Sequence, residues 1–412
     1  MSRKWLAQET PVWVEKGIVT EVQAEQLLAL YDEKKRAVGL LPLLGSLLVG
    51  IGILTFVAAN WQQIGAIWRM AILLLAVAGF YAAGEALSRR SDRRLGLAMT
   101  GIGLMAFGGA IFLIVQTYHM VTFHTYSFVL WGAAGVLMTW LYRSGFLFLL
   151  TAIILHVAGW YAILSLDRFS VSAALLFIVG LGGYAFVRRR SWQTWLLGVG
   201  LLLQAVMALG YWDVRIVWVL LPVLALYAAA DWLGDRALAL PLQGSALTAA
   251  YIFGVFMVLI PDELPLLRFT ASGDGQTAAW AMLIAVCALL ALSAAAKLRG
   301  GRAPELWDAL LLAPWYFVPG IPDLLYVLAL CGFSLVVLWR GYAAQWRFQV
   351  NLGTGLFLFA VLLAYTRLAW AFMSKSLFFV TGGLLLLALS WYLGRRRSRY
   401  LEGGHADDTK QG

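Results

Sequence analysis

A chain of 412 residues with 62% apolar and 13% charged residues and a mean hydropathy of +0.81 is not a set of soluble domains, which hold about 45–50% apolar and about 25% charged residues. Its net charge of +10 and pI near 9.7 do not point to nucleic acid, because the basic residues stand in short clusters between apolar runs. The two cysteines, Cys287 and Cys331, sit inside apolar runs and offer neither a disulfide framework nor a metal-ligand spacing.

Residues 1–39 precede the first apolar run and predict a small cytoplasmic pair of helices. Trp5, Leu6, Val12, Trp13 and Val14 suggest a short amphipathic segment broken at Pro11 and ended by Gly17. Thr20 and Gln23 have the spacing of a capping box, in which each side chain satisfies a free backbone N–H. The helix that follows groups Val22, Leu27, Leu28 and Tyr31 on one face and keeps Glu21, Glu25, Asp32 and Lys35 wet. Such a pair is suited to lie against the membrane or against the body of the protein. Its mixed charges argue against DNA. No signal peptide is evident, so the first apolar run reads as a retained anchor.

A helix needs roughly 20 apolar residues to cross the hydrocarbon of a bilayer. The runs that qualify are 40–60, 68–87, 95–117, 125–142, 145–164, 170–187, 192–211, 215–233, 238–260, 277–296, 305–319, 321–339, 347–366 and 376–393. The expected fold is therefore an all-α polytopic membrane protein of about 14 transmembrane helices, or 12 if one adjacent pair is re-entrant. The bundle fills 40–394. Residues 395–412 form a basic, then disordered, cytoplasmic tail.

With the N-terminus inside, 25 of the 31 Lys and Arg residues fall on the inner side. The outer loops hold only Arg69, Arg168, Arg215, Arg268, Arg367 and Lys375. Positive residues collect on the cytoplasmic side, so both termini are expected there, in a bacterial inner membrane. Trp61, Trp68, Trp140, Trp212, Trp280 and Trp339 are among the tryptophans at span ends, where an indole anchors a helix at the headgroups. Ser46 with Gly50, and Ala106 with Ala110, are small-residue pairs that let helices approach closely. The longest outer loop runs from about Pro261 to Gln276, and no soluble domain is inserted anywhere.

The amphipathic start carries Trp13, Gly17, Gln23 and Tyr31. The first span is Gly-rich and ends Ala58-Ala59-Asn60-Trp61, and the third closes on Gln116-Thr117-Tyr118-His119. On these residues, roughly 5–145, the chain resembles a family of predicted bacterial membrane proteins known as domain of unknown function 2157. The resemblance implies a bacterial inner-membrane setting and no activity.

Polar groups inside a bilayer are costly and are candidates for function. Asn60 ends the first span, as a headgroup or substrate ligand or as a helix cap. Gln116, Tyr118, His119 and His124 gather at the outer end of the third span, where an imidazole can relay protons or merely be solvated. His156 is near the middle of the fifth span and must face the bundle or a wet cavity. Gln204 in the seventh follows the same logic. Glu85 is four residues before Arg89, a helical ion-pair spacing. Asp231 and Asp235 share that spacing at an inner span end, and read as an ordinary helix exit. The stretch 304–323 holds Pro304, Pro314, Pro319 and Pro322, with Asp308 and Asp323, and reads as a broken or re-entrant element or as a hairpin with Pro in its turn.

The sequence lacks a phosphate-binding loop, a zinc-protease helix and a serine elbow. No catalytic, cofactor or metal-binding residue is assigned. The candidate substrate or proton path is His156, His119, Gln116, Asn60, Gln204, Asp308 and Asp323. The expected function is a transporter-like or lipid-handling permease acting on a small-molecule or lipid substrate. A non-catalytic scaffold or sensor, holding a protein partner through residues 1–39, is the alternative. A membrane enzyme using His119 and His156 on a lipid-linked substrate is the third reading. A transporter needs a wet cavity between its helices, whereas a scaffold can be packed solid.

Overall fold

The structure is a computed structural model describing residues 3–30, 41–60, 65–90, 92–117, 125–259, 273–301, 306–318 and 321–369, with 380, 383, 384 and 387. The described residues are helices and short connections, with no strand among them. A helix satisfies its own backbone, which a bilayer cannot do.

Two helices open the chain, α1 (Arg3–Glu15) and α2 (Glu21–Leu30), and they pack together. Helix α1 runs through Pro11 and is not broken there. A proline removes one donor from the ladder, and a helix can continue past that loss. Gly17 does end it, with φ +69°. Ile18 N–H reaches back to the Trp13 carbonyl at 2.9 Å and Gly17 N–H to that of Val14 at 3.0 Å, the paired bonds of a Schellman cap. The capping box is present: Thr20 N–H donates to Gln23 Oε1 at 3.0 Å, and Gln23 N–H to Thr20 Oγ1 at 3.3 Å. Of the expected apolar face, Val22 is 65% exposed, and the side chains of Leu27, Leu28 and Tyr31 lie outside the described residues. We expect Thr20→Ala to cost about 1 kcal/mol, read as faster amide exchange in the first turn of α2 within the intact protein.

The chain divides into two units, Met1–Leu166 with Ser170–Leu181, and Asp167–Phe169 with Gly182–Gly412. In the first, α3 (Leu41–Asn60) and α4 (Ala66–Arg90) pack on α5 (Arg93–Thr117), followed by α6 (Tyr126–Tyr142) and α7 (Gly145–Leu166). Ser46, Gly50, Ala106 and Ala110 are all buried, as their small size led us to expect. A Cβ on Gly84 would stand 3.0 Å from the Gly96 carbonyl oxygen, so α4 and α5 touch backbone to backbone. Glu85 pairs with Arg89 at 2.6 Å and accepts from the Tyr142 hydroxyl at 2.9 Å. Helix α8 (Val171–Arg188) contains a π-helical stretch, Leu176–Gly182. The Gly180 carbonyl there accepts from the Trp140 indole at 2.9 Å.

The second unit holds α9 (Ser191–Tyr211), a 3-10 turn (Ile216–Val219) leading into α10 (Leu220–Trp232), α11 (Arg236–Leu259) and α12 (Gly273–Arg299). Then come a short α13 (Leu306–Leu311), a 3-10 turn (Trp315–Phe317), α14 (Pro322–Ala343) and α15 (Arg347–Ala369). Leu224, Ala250, Met282 and Leu330 lie in one continuous apolar core.

Among the described residues, nine helices are long and apolar enough to cross a membrane. The other five expected spans fare differently. Run 40–60 is α3, while 125–142 and 215–233 are shorter apolar helices. Run 305–319 is interrupted, and 376–393 falls almost wholly outside the described residues. Fourteen is therefore not reached as a count of continuous spans. The proline-rich stretch explains one shortfall, since it cannot sustain a full helix. Trp68, Trp212, Trp280 and Trp339 are exposed near helix ends, as anchoring residues should be.

Candidate functional site

Helices α10 and α12 each carry two polar residues one turn apart, Tyr227 with Asp231 and Ser293 with Lys297. That spacing puts both members of a pair on one helix face, and α10 packs on α12. The two faces meet. All four side chains are buried, Asp231 with 3% and Lys297 with 6% of its surface exposed.

Asp231 is surrounded by donors. Ser293 Oγ–H donates to its Oδ2 at 2.6 Å, and Gln243 of α11 donates to its Oδ1 from Nε2 at 2.6 Å. The Lys297 ammonium stands 3.7 Å from Oδ2. Lys297 Nζ donates to the Tyr227 hydroxyl at 2.6 Å, and that hydroxyl donates to Asp308 Oδ2 at 2.7 Å. The result is one chain from Asp231 through Lys297 and Tyr227 to Asp308. Asp308 is itself buried, on α13. A buried charge persists only when it is paired and its remaining positions are hydrogen-bonded; for Asp231, Lys297 and Ser293 of α12 and Gln243 of α11 supply those groups. The C-terminal ends of α10 and α12 and the start of α11 bring them to one end of the unit.

The chain ends on the interrupted segment. Helix α13 has six residues; Pro314 and the turn Trp315–Phe317 follow, and α14 begins at Pro322. The Trp315 indole donates to the Leu310 carbonyl at 2.8 Å, satisfying a backbone group that the stopped helix leaves open. Farther on, the Tyr316 hydroxyl rests on Met282 Sδ at 3.0 Å. Met282 and Lys297 are fifteen residues apart on α12, about 22 Å at 1.5 Å per residue. Between Asp308 and Tyr316 the segment therefore advances along α12. Asp323, beyond it, pairs with Arg367 of α15 at 2.7 Å. The Tyr326 hydroxyl is buried with no hydrogen-bond partner among the described residues.

A cavity of about 350 Å³ lies between α9, α10 and α11. Trp195, Leu203, Val206, Ile252 and Phe256 help line it, with Ser245 and Thr248. Its surface is almost wholly apolar, so it is not the wet cavity that a carrier of polar solutes needs. Val223, also in its wall, is one turn before Tyr227 on α10.

The sequence-expected candidates are scattered by comparison. Only Asp308 enters the chain. Asp323 has its own ion pair at the other end of the interrupted segment. His156 is half-buried; its Nδ1 bonds the Ala152 carbonyl at 2.8 Å, and its ring meets Phe177 edge-on. Gln204 is buried, and its Nε2 has no hydrogen-bond partner among the described residues. Gln116 is exposed near the end of α5. Asn60 ends α3, but its side chain lies outside the described residues, as do His119 and His124. The reading of Asp231 and Asp235 as a shared helix exit holds for one of them. Asp235 pairs with Arg189 at 2.8 Å and caps α11 through the Ala237 N–H. Asp231 faces inward. Lys297, assigned by sequence to an inner loop, is inside α12. Its signal was present: paired polar residues at helical spacing within two apolar runs.

Residues 11–148 match the family of predicted membrane proteins DUF2157. The match covers nearly the same stretch that carries the resemblance, and it bears out a membrane setting. No curated protein and no solved structure matches the chain. The buried ion chain, between residues 227 and 308, lies beyond the matched stretch. Its reading therefore rests on its own geometry.

Proposed function

We propose that this chain is a permease of a bacterial inner membrane that moves an amphiphilic or lipid-like substrate. The observation that carries the reading is the tie between the buried ion chain and the interrupted segment. Broken helices in transporters offer backbone groups at membrane depth and divide a span into pieces that move separately. A buried ion pair is a poor stabiliser, so a passive scaffold would gain little from this one. The apolar cavity shares α10 and α11 with the ion chain, which favours a substrate with an apolar part. The 25-to-6 distribution of basic residues supports cytoplasmic N- and C-termini.

The test compares cells expressing the native protein with cells expressing Asp308→Asn at equal membrane abundance. Metabolites and lipids are profiled inside and outside. One compound class should be displaced across the membrane by the native protein alone, with at least a threefold loss in the variant. Coincident profiles with and without the native protein would remove the permease reading.

A further inference from the structure

We infer that the apolar cavity between α9, α10 and α11 is a binding site for one acyl chain of a membrane lipid, entered sideways from the bilayer. The site stands on its own geometry; that the lipid held there is the substrate rests on the permease reading.

The cavity is a groove with a floor and a rim. Its floor includes Leu202 of α9, Val223 of α10 and Phe253 of α11, all buried. Its rim includes Leu203 of α9 with Ile252 and Phe256 of α11, which are exposed, Ile252 to 63%. Helices α9 and α11 are both long and apolar enough to cross a membrane, so their exposed side chains face hydrocarbon.

The lining gives a polar ligand almost nothing to bind. Its hydroxyls, on Ser245 and Thr248, donate to their own helix: Ser245 Oγ to the Leu242 carbonyl and Thr248 Oγ1 to the Gly244 carbonyl, both at 2.7 Å. Water fills a cavity only where polar groups hold it. An apolar void of about 350 Å³ left empty forfeits the dispersion contacts of its wall. The bilayer around the groove supplies the apolar atoms that restore them.

The shape fits a chain. The lining runs from Trp195 to Val206 on α9 and from Ser245 to Phe256 on α11, and the helical rise makes each stretch about 16 Å long. One leaflet contributes half of a hydrocarbon core about 30 Å thick, so the groove is as long as one lipid chain is deep. At one end the two helices close on each other. Gly198 there backs onto the Ser245 side chain with no room for a Cβ, and Trp195 stands beside Gly244.

The experiment is photolabelling of the purified full-length protein in nanodiscs of phosphatidylethanolamine and phosphatidylglycerol. These contain a small fraction of phosphatidylcholine with a diazirine in mid-chain, and labelled peptides are mapped by mass spectrometry. Label should concentrate on 199–206 and 249–256. It should exceed the label around Ile284 of α12 and Leu328 of α14, whose exposure is close to that of Ile252. Ala249 lines the groove; Ala249→Phe fills it and should lose most of the label there while keeping that around Ile284. If Ala249→Phe does not fold, Ile252→Trp at the rim takes its place with the same expectation. Label spread evenly over the lipid-facing helices, or unmoved by filling the groove, would overturn the inference. A groove left unlabelled, as it would be under a second copy of the chain, overturns it too. Label concentrated in the groove alongside unchanged metabolite and lipid profiles would keep the lipid site and remove the permease; a displaced compound class with even labelling would do the reverse.

Discussion

Lys297→Met should lower the stability of the folded protein by about 3–5 kcal/mol, measured by thermal unfolding in detergent. The substitution keeps the length and apolar stem of the side chain and deletes only the charge. It leaves Asp231 buried with Ser293 and Gln243 but without a cation, and it leaves the Tyr227 hydroxyl without the donor at 2.6 Å. An uncompensated charge in a medium of low polarity is the costly state, more than the absent pair itself. The double variant Asp231→Asn with Lys297→Met should recover the part of the loss that Asp231 causes, because the asparagine carries no charge and its Ser293 and Gln243 partners persist, while Asp308 keeps its Tyr227 donor but not the cation behind it. A single variant within about 1 kcal/mol of the native protein would mean that the pair is solvated and behaves as a surface one.

The second large effect belongs to the hairpin of α14 and α15. A Cβ on Gly353 would lie 2.5 Å from the Leu338 nitrogen and 2.6 Å from its Cα. Those are backbone atoms, which cannot rotate aside as a side chain can. The reverse contact exists as well, since a Cβ on Gly341 would lie 2.7 Å from the Val350 nitrogen. Gly353→Ala must push the helices apart and should cost at least the about 1–3 kcal/mol of ordinary overpacking. Gly355, two residues on in the same helix, has nothing within 4 Å of that position. Gly355→Ala should be neutral or stabilise by up to about 1 kcal/mol, since alanine holds helix better than glycine. Equal melting temperatures for the two variants would show that α14 and α15 are not in this close register.

The helices themselves were legible because a bilayer imposes one rule on every span. Apolar length and internal hydrogen bonding are properties of consecutive residues, so runs such as 145–164 and 192–211 reappear as α7 and α9. The capping box of Thr20 and Gln23 and the stop at Gly17 are local in the same sense. So is the Glu85–Arg89 pair, one turn apart. Pro11 misled because proline weighs against a helix without forbidding it. The interrupted segment was visible in its prolines, but its course along α12 depends on which parts of that helix meet Tyr227 and Tyr316.

The site was less legible. Asp308 was named for its neighbouring prolines, while Tyr227, Gln243 and Ser293 were not named and Lys297 counted only among the inner basic residues. Lys297 lies close to Arg299 and Arg302 near the end of a span, and so read as one more cytoplasmic cation. Its burial depends on α12 packing against α10, and its partners lie 66 to 70 residues earlier in the chain.

By itself, then, the sequence determined the membrane setting, most helices, their caps and the place where one span must fail, because these follow from hydrophobic length and short-range hydrogen bonds. Only the tertiary structure decided that Asp231, Lys297, Tyr227 and Asp308 form one buried chain. Desolvation and pairing depend on which helix faces meet, and that is settled by packing across the whole second unit.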